Sequence, residues 1–88
     1  MHETVTAASV AANVRAELAR AGLSARQLAE ALGENRGWAH RRLSLRDPKP
    51  FEIDELARVA THLQVPLSRL IEPVDAADQP REEIRGAR

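Results

Sequence analysis

The 88-residue chain has no cysteine, which removes disulfides and thiolate metal sites from consideration. Its apolar stretches are all far shorter than the roughly 20 residues a membrane-crossing helix needs. There is no glycine-rich phosphate loop, no nucleophile with a paired base and no metal-ligand cluster, so the sequence predicts neither an enzyme nor a cofactor-binding protein. Glu52, Asp54 and Glu55 lie close together, but the first turn of a helix accounts for them. His2 and His62 have no ligand-like neighbours. Met1-His2-Glu3-Thr4 lacks the basic and apolar regions of a signal peptide, and the expected compartment is the cytoplasm. The length predicts one domain, with no evident small-molecule effector pocket.

Net charge is lacking too, with 13 basic and 13 acidic residues. The charges are nevertheless segregated. Residues 15–49 carry eight basic and four acidic groups, for a balance of +4, whereas residues 50–88 carry five basic and eight acidic groups, for −3. Ordinary surface scatter would produce the same split, so charge alone decides nothing. Twelve of the thirteen basic residues are Arg, and Ala is abundant, a bias that fits a GC-rich genome.

What the chain does have is helical periodicity. Val10, Val14, Leu18 and Ala21 predict a first helix, capped by Thr6 or Ser9 and ended by Gly22. Ser24 caps a second, Ala25 to Leu32, with Leu28, Ala29 and Leu32 on one face and Gly33 as its stop. Asn35 heads a third, running to about Leu43 or Leu45. Arg46-Asp47-Pro48-Lys49-Pro50 is a loop, and Phe51, the sole Phe, is expected to plug the core edge. Ile53, Leu56, Ala60 and Leu63 line a fourth helix, and Pro66 opens a short fifth, Leu67 to Ile71. The expected fold is all-α, a compact five-helix domain over residues 1–73. Residues 74–88 read as a flexible polar tail, with a short partner-dependent helix around Arg81 to Arg85 as an alternative.

The second and third helices carry the function. On a wheel the third helix has Ala39 and Leu43 on one side, too little to hold a helix alone, so it must be packed against the second. Gly37, His40 and Arg41 fall on the opposite side, and Arg36 on the exposed first turn. A short, basic helix propped outward is what entry into a major groove about 12 Å wide requires.

The run LSARQLAEALGENRGWAHRRL followed by PFEIDELARVATHLQVPLSRLI resembles the lambda-repressor and Cro-type (XRE-like) helix-turn-helix family. The resemblance covers about Val14 to Ile71 and looks closest to repressor-like regulators of actinobacteria and their phages. It implies a five-helix bundle whose third helix reads bases. Four positions depart from the family pattern. Ala25 stands where many members carry a phosphate-touching Gln, so Ser24 and Gln27 become the candidates for that contact. Leu18 and Leu43 stand where many members pair Arg with Glu, leaving no charge stranded. Leu45 stands where a Gly usually ends the recognition helix.

On that reading Arg41 is the foremost base reader, since an Arg can hold guanine O6 and N7 together. Arg36 and His40 are further candidates, and Gly37 permits either close approach to DNA or nothing more than a weak helix start. Asn35, Arg46 and Lys49 are assigned phosphate contacts, which set register without reading sequence. Trp38 is assigned either a phosphate contact through its indole N–H or a place covering the second helix. Arg42 turns toward the protein, so a scaffold or phosphate role fits it. The expected partner is a double-stranded operator bound by a homodimer, with contacts from the fifth helix, Leu45 or the tail. The rival reading is an antitoxin or other protein-binding module on the same fold, one compatible with regulation of its own operon.

Overall fold

The computed structural model describes residues 5–73. His2, the tail from residue 74 onward and the alternative helix around Arg81 to Arg85 lie outside the described residues. Five helices and no strand form within that span: α1 (Ala7–Ala21), α2 (Ala25–Ala31), α3 (Arg36–Arg42), α4 (Ile53–Leu63) and α5 (Leu67–Ile71). None is long and apolar enough to cross a membrane.

Local chemistry sets each boundary. Thr6 caps α1 by accepting the Ser9 N–H at 3.0 Å, and the Ser9 hydroxyl oxygen accepts the Thr6 N–H in return at 2.9 Å. Ser9 is therefore the second half of the capping box, not the cap. Gly22 ends α1 in the left-handed region at φ 73°, which lets the Leu23 N–H reach back to the Leu18 carbonyl at 2.9 Å. Ser24 and Gln27 form the same reciprocal box at the head of α2. Asn35 heads α3 by accepting the Trp38 N–H at 2.8 Å. Leu32 and Leu43 serve as C-caps, so both helices stop a residue or more before the expected ends, and Leu45 stands clear of α3.

The largest fully buried side chains are Val14, Leu28, Val59 and Leu70, one each from α1, α2, α4 and α5. Around them pack Val10, Leu18, Ala29, Trp38, Ala39, Leu43, Leu56 and Ala60. Phe51 is half-buried against this core, where the sequence placed it. Two expected core positions are not there. Ala21, the last residue of α1, is exposed. Ile53 is 68% exposed, because the inward face of α4 centres on Leu56, Val59 and Ala60. Ile53 lies at the margin of that face and at the first residue of the helix, while Val59 takes the central place the sequence reading had passed over.

The five-residue α5 is held by more than its one fully buried leucine. Asn13 Nδ2 donates to the Leu70 carbonyl at 3.0 Å and to the Glu72 carbonyl at 2.8 Å. The buried Glu17 carboxylate accepts from Arg20 at 2.6 Å and from Arg69 at 3.2 Å, joining α1 to α5. Leu70→Ala should cost about 2–5 kcal/mol, the range for a truncated core leucine. Ile53→Ala, despite removing a similar volume, should stay within about 0.5 kcal/mol. Urea unfolding of both variants checks the contrast, and equal losses would contradict the assigned α4 face.

Candidate nucleic-acid interface

The α2–α3 unit begins with a tight connection. Gly33 adopts φ 74°, and the Glu34 N–H returns to the Ala29 carbonyl at 2.9 Å. Arg58 of α4 clamps this turn from behind. Its Nη2 donates to the Leu32 carbonyl at 2.6 Å and its guanidinium faces the Glu34 carboxylate at 3.4 Å. The acidic group nearest the head of α3 is thereby paired.

α3 shows two faces of opposite character. Inward lie Trp38, Ala39 and Arg42, all buried, with Leu43 following. The Glu55 carboxylate at the start of α4 receives them. It accepts from Arg42 Nε at 3.1 Å and Nη2 at 3.2 Å, from Trp38 Nε1 at 3.1 Å, and from its own Glu52 N–H at 2.8 Å. The Arg42 guanidinium also lies 4.9 Å from the Trp38 ring centroid and donates to the Trp38 carbonyl at 3.1 Å. Phe51 meets the Trp38 ring edge-on, with centroids 5.8 Å apart. On the other side Arg15 of α1 donates to the Leu43 carbonyl at 3.0 Å, satisfying the C-terminal end of α3.

Outward lie Arg36, His40 and Arg41, all exposed, with Gly37 half-exposed between them. Arg36, Gly37 and His40 share an open cleft with Ala25 and Arg26 at the head of α2. The loop after α3 folds back onto its end, because the Lys49 N–H donates to the Arg41 carbonyl at 3.0 Å. The Ser44 hydroxyl oxygen accepts the Arg46 and Asp47 N–H groups at 3.2 and 3.3 Å, tightening the same loop. Arg46 and Lys49 are thus presented, exposed, beside the C-terminal end of α3.

Sorting the cations by their partners separates two populations. Arg20 and Arg69 share Glu17, Arg26 pairs with Glu30, Arg42 with Glu55, and Arg58 with Glu34. Arg15 is spent on a carbonyl. Among the described residues, Arg36, Arg41, Arg46 and Lys49 are left with neither an ion pair nor a side-chain hydrogen bond. All four stand on α3 or the loop that follows it. Asp47 is the acidic residue in that loop.

The candidates of the phosphate set fare differently. Ser24, Gln27 and Asn35 are exposed at helix heads, each with an oxygen engaged in capping. The Ser24 O–H and the Gln27 and Asn35 amide N–H groups remain as donors. Trp38 is the correction. It is 5% exposed and its indole N–H is taken by Glu55, so it offers no donor to a phosphate. Its ring is wanted at the α3–α4 contact, where it shields the ion pair.

The overall fold is also that of a solved regulator candidate. The crystal structure of a hypothetical transcription factor, NHTF, from Neisseria is similar over 97% of this chain and 94% of that one, with a TM-score of 0.68 and 20% identity. The two chains share a fold. No family model and no curated protein matches the sequence.

Three supporting residues escaped the sequence reading: Glu55, Arg58 and Arg15. A signal existed for the first. An inward-turned Arg42 demands a carboxylate, and Glu55 follows an extended segment three residues after Glu52, the spacing of a capping box. Arg58 and Arg15 bond to main-chain carbonyls, which no side-chain pattern announces.

Burial pulls the Glu55 carboxyl toward its neutral form, but the Glu52 amide, the Trp38 indole and the Arg42 guanidinium outweigh it and hold its pKa below the ordinary 4.5. The Glu17 pKa is also lowered, first by the hydrogen bond from Arg20, against the pull of burial, and then by Arg69. Both groups stabilise the fold fully above the ordinary carboxylate pKa. As pH falls past 4.5 the unfolded chain takes up protons first, and that stability is lost toward the lower folded values. The thermal midpoint should therefore fall on acidification below this point, and a loss centred near neutral pH would contradict the assignment. Glu55→Ala, which leaves Arg42 buried without its partner, should cost about 3–5 kcal/mol in urea unfolding.

Proposed function

We propose that the chain is a sequence-specific, non-catalytic DNA-binding transcriptional regulator of the repressor or Cro-like kind, with α3 entering the major groove of an operator. The observation that carries this reading is the cation sorting. Every described arginine that braces the fold has a partner, while Arg36, Arg41, Arg46 and Lys49 stand free together on one helix and its loop. Unpaired guanidinium groups on a protruding helix are what a polyanion with base-edge acceptors takes up.

In this reading Arg41, Arg36 and His40 address base edges, with Gly37 between them. Arg46 and Lys49 hold phosphates at one end of α3, and Ser24, Gln27 and Asn35 do so at helix heads. A homodimer on a two-fold operator would place the two α3 helices about 34–36 Å apart, one helical turn of DNA. Leu45, 81% exposed beside α3, is an apolar group suited to the dimer contact. Regulation then follows protein concentration and competition for operators, without an effector.

Selection of bound sequences from random duplexes tests the reading. A recovered motif with two-fold symmetry is expected, and recovery of no motif would overturn it. Arg41→Ala should relax preference at one base position per half-site, costing about 1–3 kcal/mol against the preferred base. Arg46→Ala and Lys49→Ala should instead weaken binding to all sequences and reduce the slope of log K against log salt by about 1 each. Sedimentation should give a dimer on DNA, and a monomer both free and bound would reject the two-fold arrangement.

A further inference from the structure

Gly37 has no backbone reason to be glycine. It lies in the first turn of α3, and the only positive-φ glycines among the described residues are Gly22 and Gly33. Any L-residue adopts this conformation, and alanine would favour the helix more. What the position has is a neighbour. A Cβ placed on Gly37 would stand 2.8 Å from Arg41 Nη1 and 3.7 Å from its Cζ, with Asn35 Oδ1 at 3.4 Å. At the Nη1 separation something must shift, and Nη1 is the far end of a flexible, exposed side chain, so it is the guanidinium that gives way. Arg41 is four residues on, on the same helix face, and helical side chains lean toward the N-terminus. Its guanidinium therefore lies back along α3 and occupies the space that a side chain at position 37 would fill.

We propose that Gly37 is a specificity-determining position that acts through Arg41: its missing side chain is the berth that holds the guanidinium over the first turn of α3, before DNA arrives. The inference rests on the reading that α3 contacts bases. It replaces direct packing of DNA against Gly37 as the reason for the glycine. A berth on the helix surface narrows the rotamers of a long, flexible side chain, so less freedom is lost when its planar fork meets a base. Filling the berth sends the guanidinium to a different rotamer and a different point along the groove.

The test is a double-mutant cycle read by random-duplex selection and by titration on the selected site, using the full chain, Gly37→Ala, Arg41→Ala and the double variant. Gly37→Ala should keep its helix content and a thermal midpoint no lower than that of the parent. It should lose preference at the base position that Arg41→Ala relaxes, by roughly fivefold or more, and leave the other positions unchanged. In the Arg41→Ala background, Gly37→Ala should change affinity by less than about twofold, since the two substitutions remove one feature. Parental base preference in Gly37→Ala would overturn the berth. So would an equal loss of affinity whether or not Arg41 is present, which would mean that DNA packs directly on Gly37. A parent chain that selects no sequence, or an Arg41→Ala profile identical to the parent's, would instead overturn the base-reading role itself.

Discussion

The Glu55 carboxylate is the fixture on which α3 depends. α3 is seven residues long, below the length at which a helix stands alone in water, and it contains a glycine. Its inward face offers Trp38, Ala39 and the stem of Arg42, with Leu43 as cap. Hydrophobic burial from so few groups fixes that the helix is packed without fixing how it is turned. Glu55 fixes the turn, since Arg42 and Trp38 sit one helical turn apart on α3 and both donate to it. A buried ion pair is weak evidence for net stability, because desolvation offsets much of the attraction. What two donors converging on one carboxylate provide is direction. A rotation of α3 about its axis breaks several bonds at once, and the outward residues are locked in phase with the inward ones.

The same logic explains where the cations went. A protein with equal numbers of acids and bases presents a cationic face when its acids are paired or placed away from that face. Glu17, Glu30, Glu34 and Glu55 are paired with Arg20 and Arg69, Arg26, Arg58 and Arg42 respectively. The exposed Arg26–Glu30 pair adds little to stability on its own, as surface pairs generally do. Its effect is on the field, since it removes two charges from the balance near α3. Arg58 does more, because it closes the α2–α3 turn and cancels Glu34 in one contact. Zero net charge thus coexists with a locally unbalanced face.

Much of this was legible in the sequence. The five helices, the Thr6, Ser24 and Asn35 caps, the Gly22 stop and the edge position of Phe51 all follow from short-range chemistry, and the structure places each where that chemistry asks. Tertiary context decided the rest. Ile53 has the right residue type and nearly the right spacing for the core, but whether a marginal position is covered depends on the centre of the buried face, which a wheel gives only to within a residue. Trp38 was misassigned for a related reason. A lone tryptophan on a basic helix suits a phosphate as well as a core edge, and the carboxylate that settles the matter lies 17 residues further along the chain. The bonds of Arg15 and Arg58 to carbonyls were illegible altogether, since every residue carries the acceptor.

On the proposed reading of α3 as a recognition helix, weakness on one side is what makes it useful on the other. The outward face of α3 spends Gly37, Arg36, His40 and Arg41 on groups that bury almost nothing, and the glycine alone forgoes about 1 kcal/mol of helix propensity. Strengthening that face with apolar or helix-favouring residues would stabilise the free protein and erase the donors. The stabilisation is instead drawn from neighbours: the α1 guanidinium of Arg15 closing the C-terminal end, the α4 guanidinium of Arg58 holding the turn, and the Glu55 carboxylate beneath. Each contacts the α2–α3 unit from the side or from behind, and none occupies the outward face. Support and display are therefore separable in this fold, so the outward residues can vary while the inward polar cluster is kept.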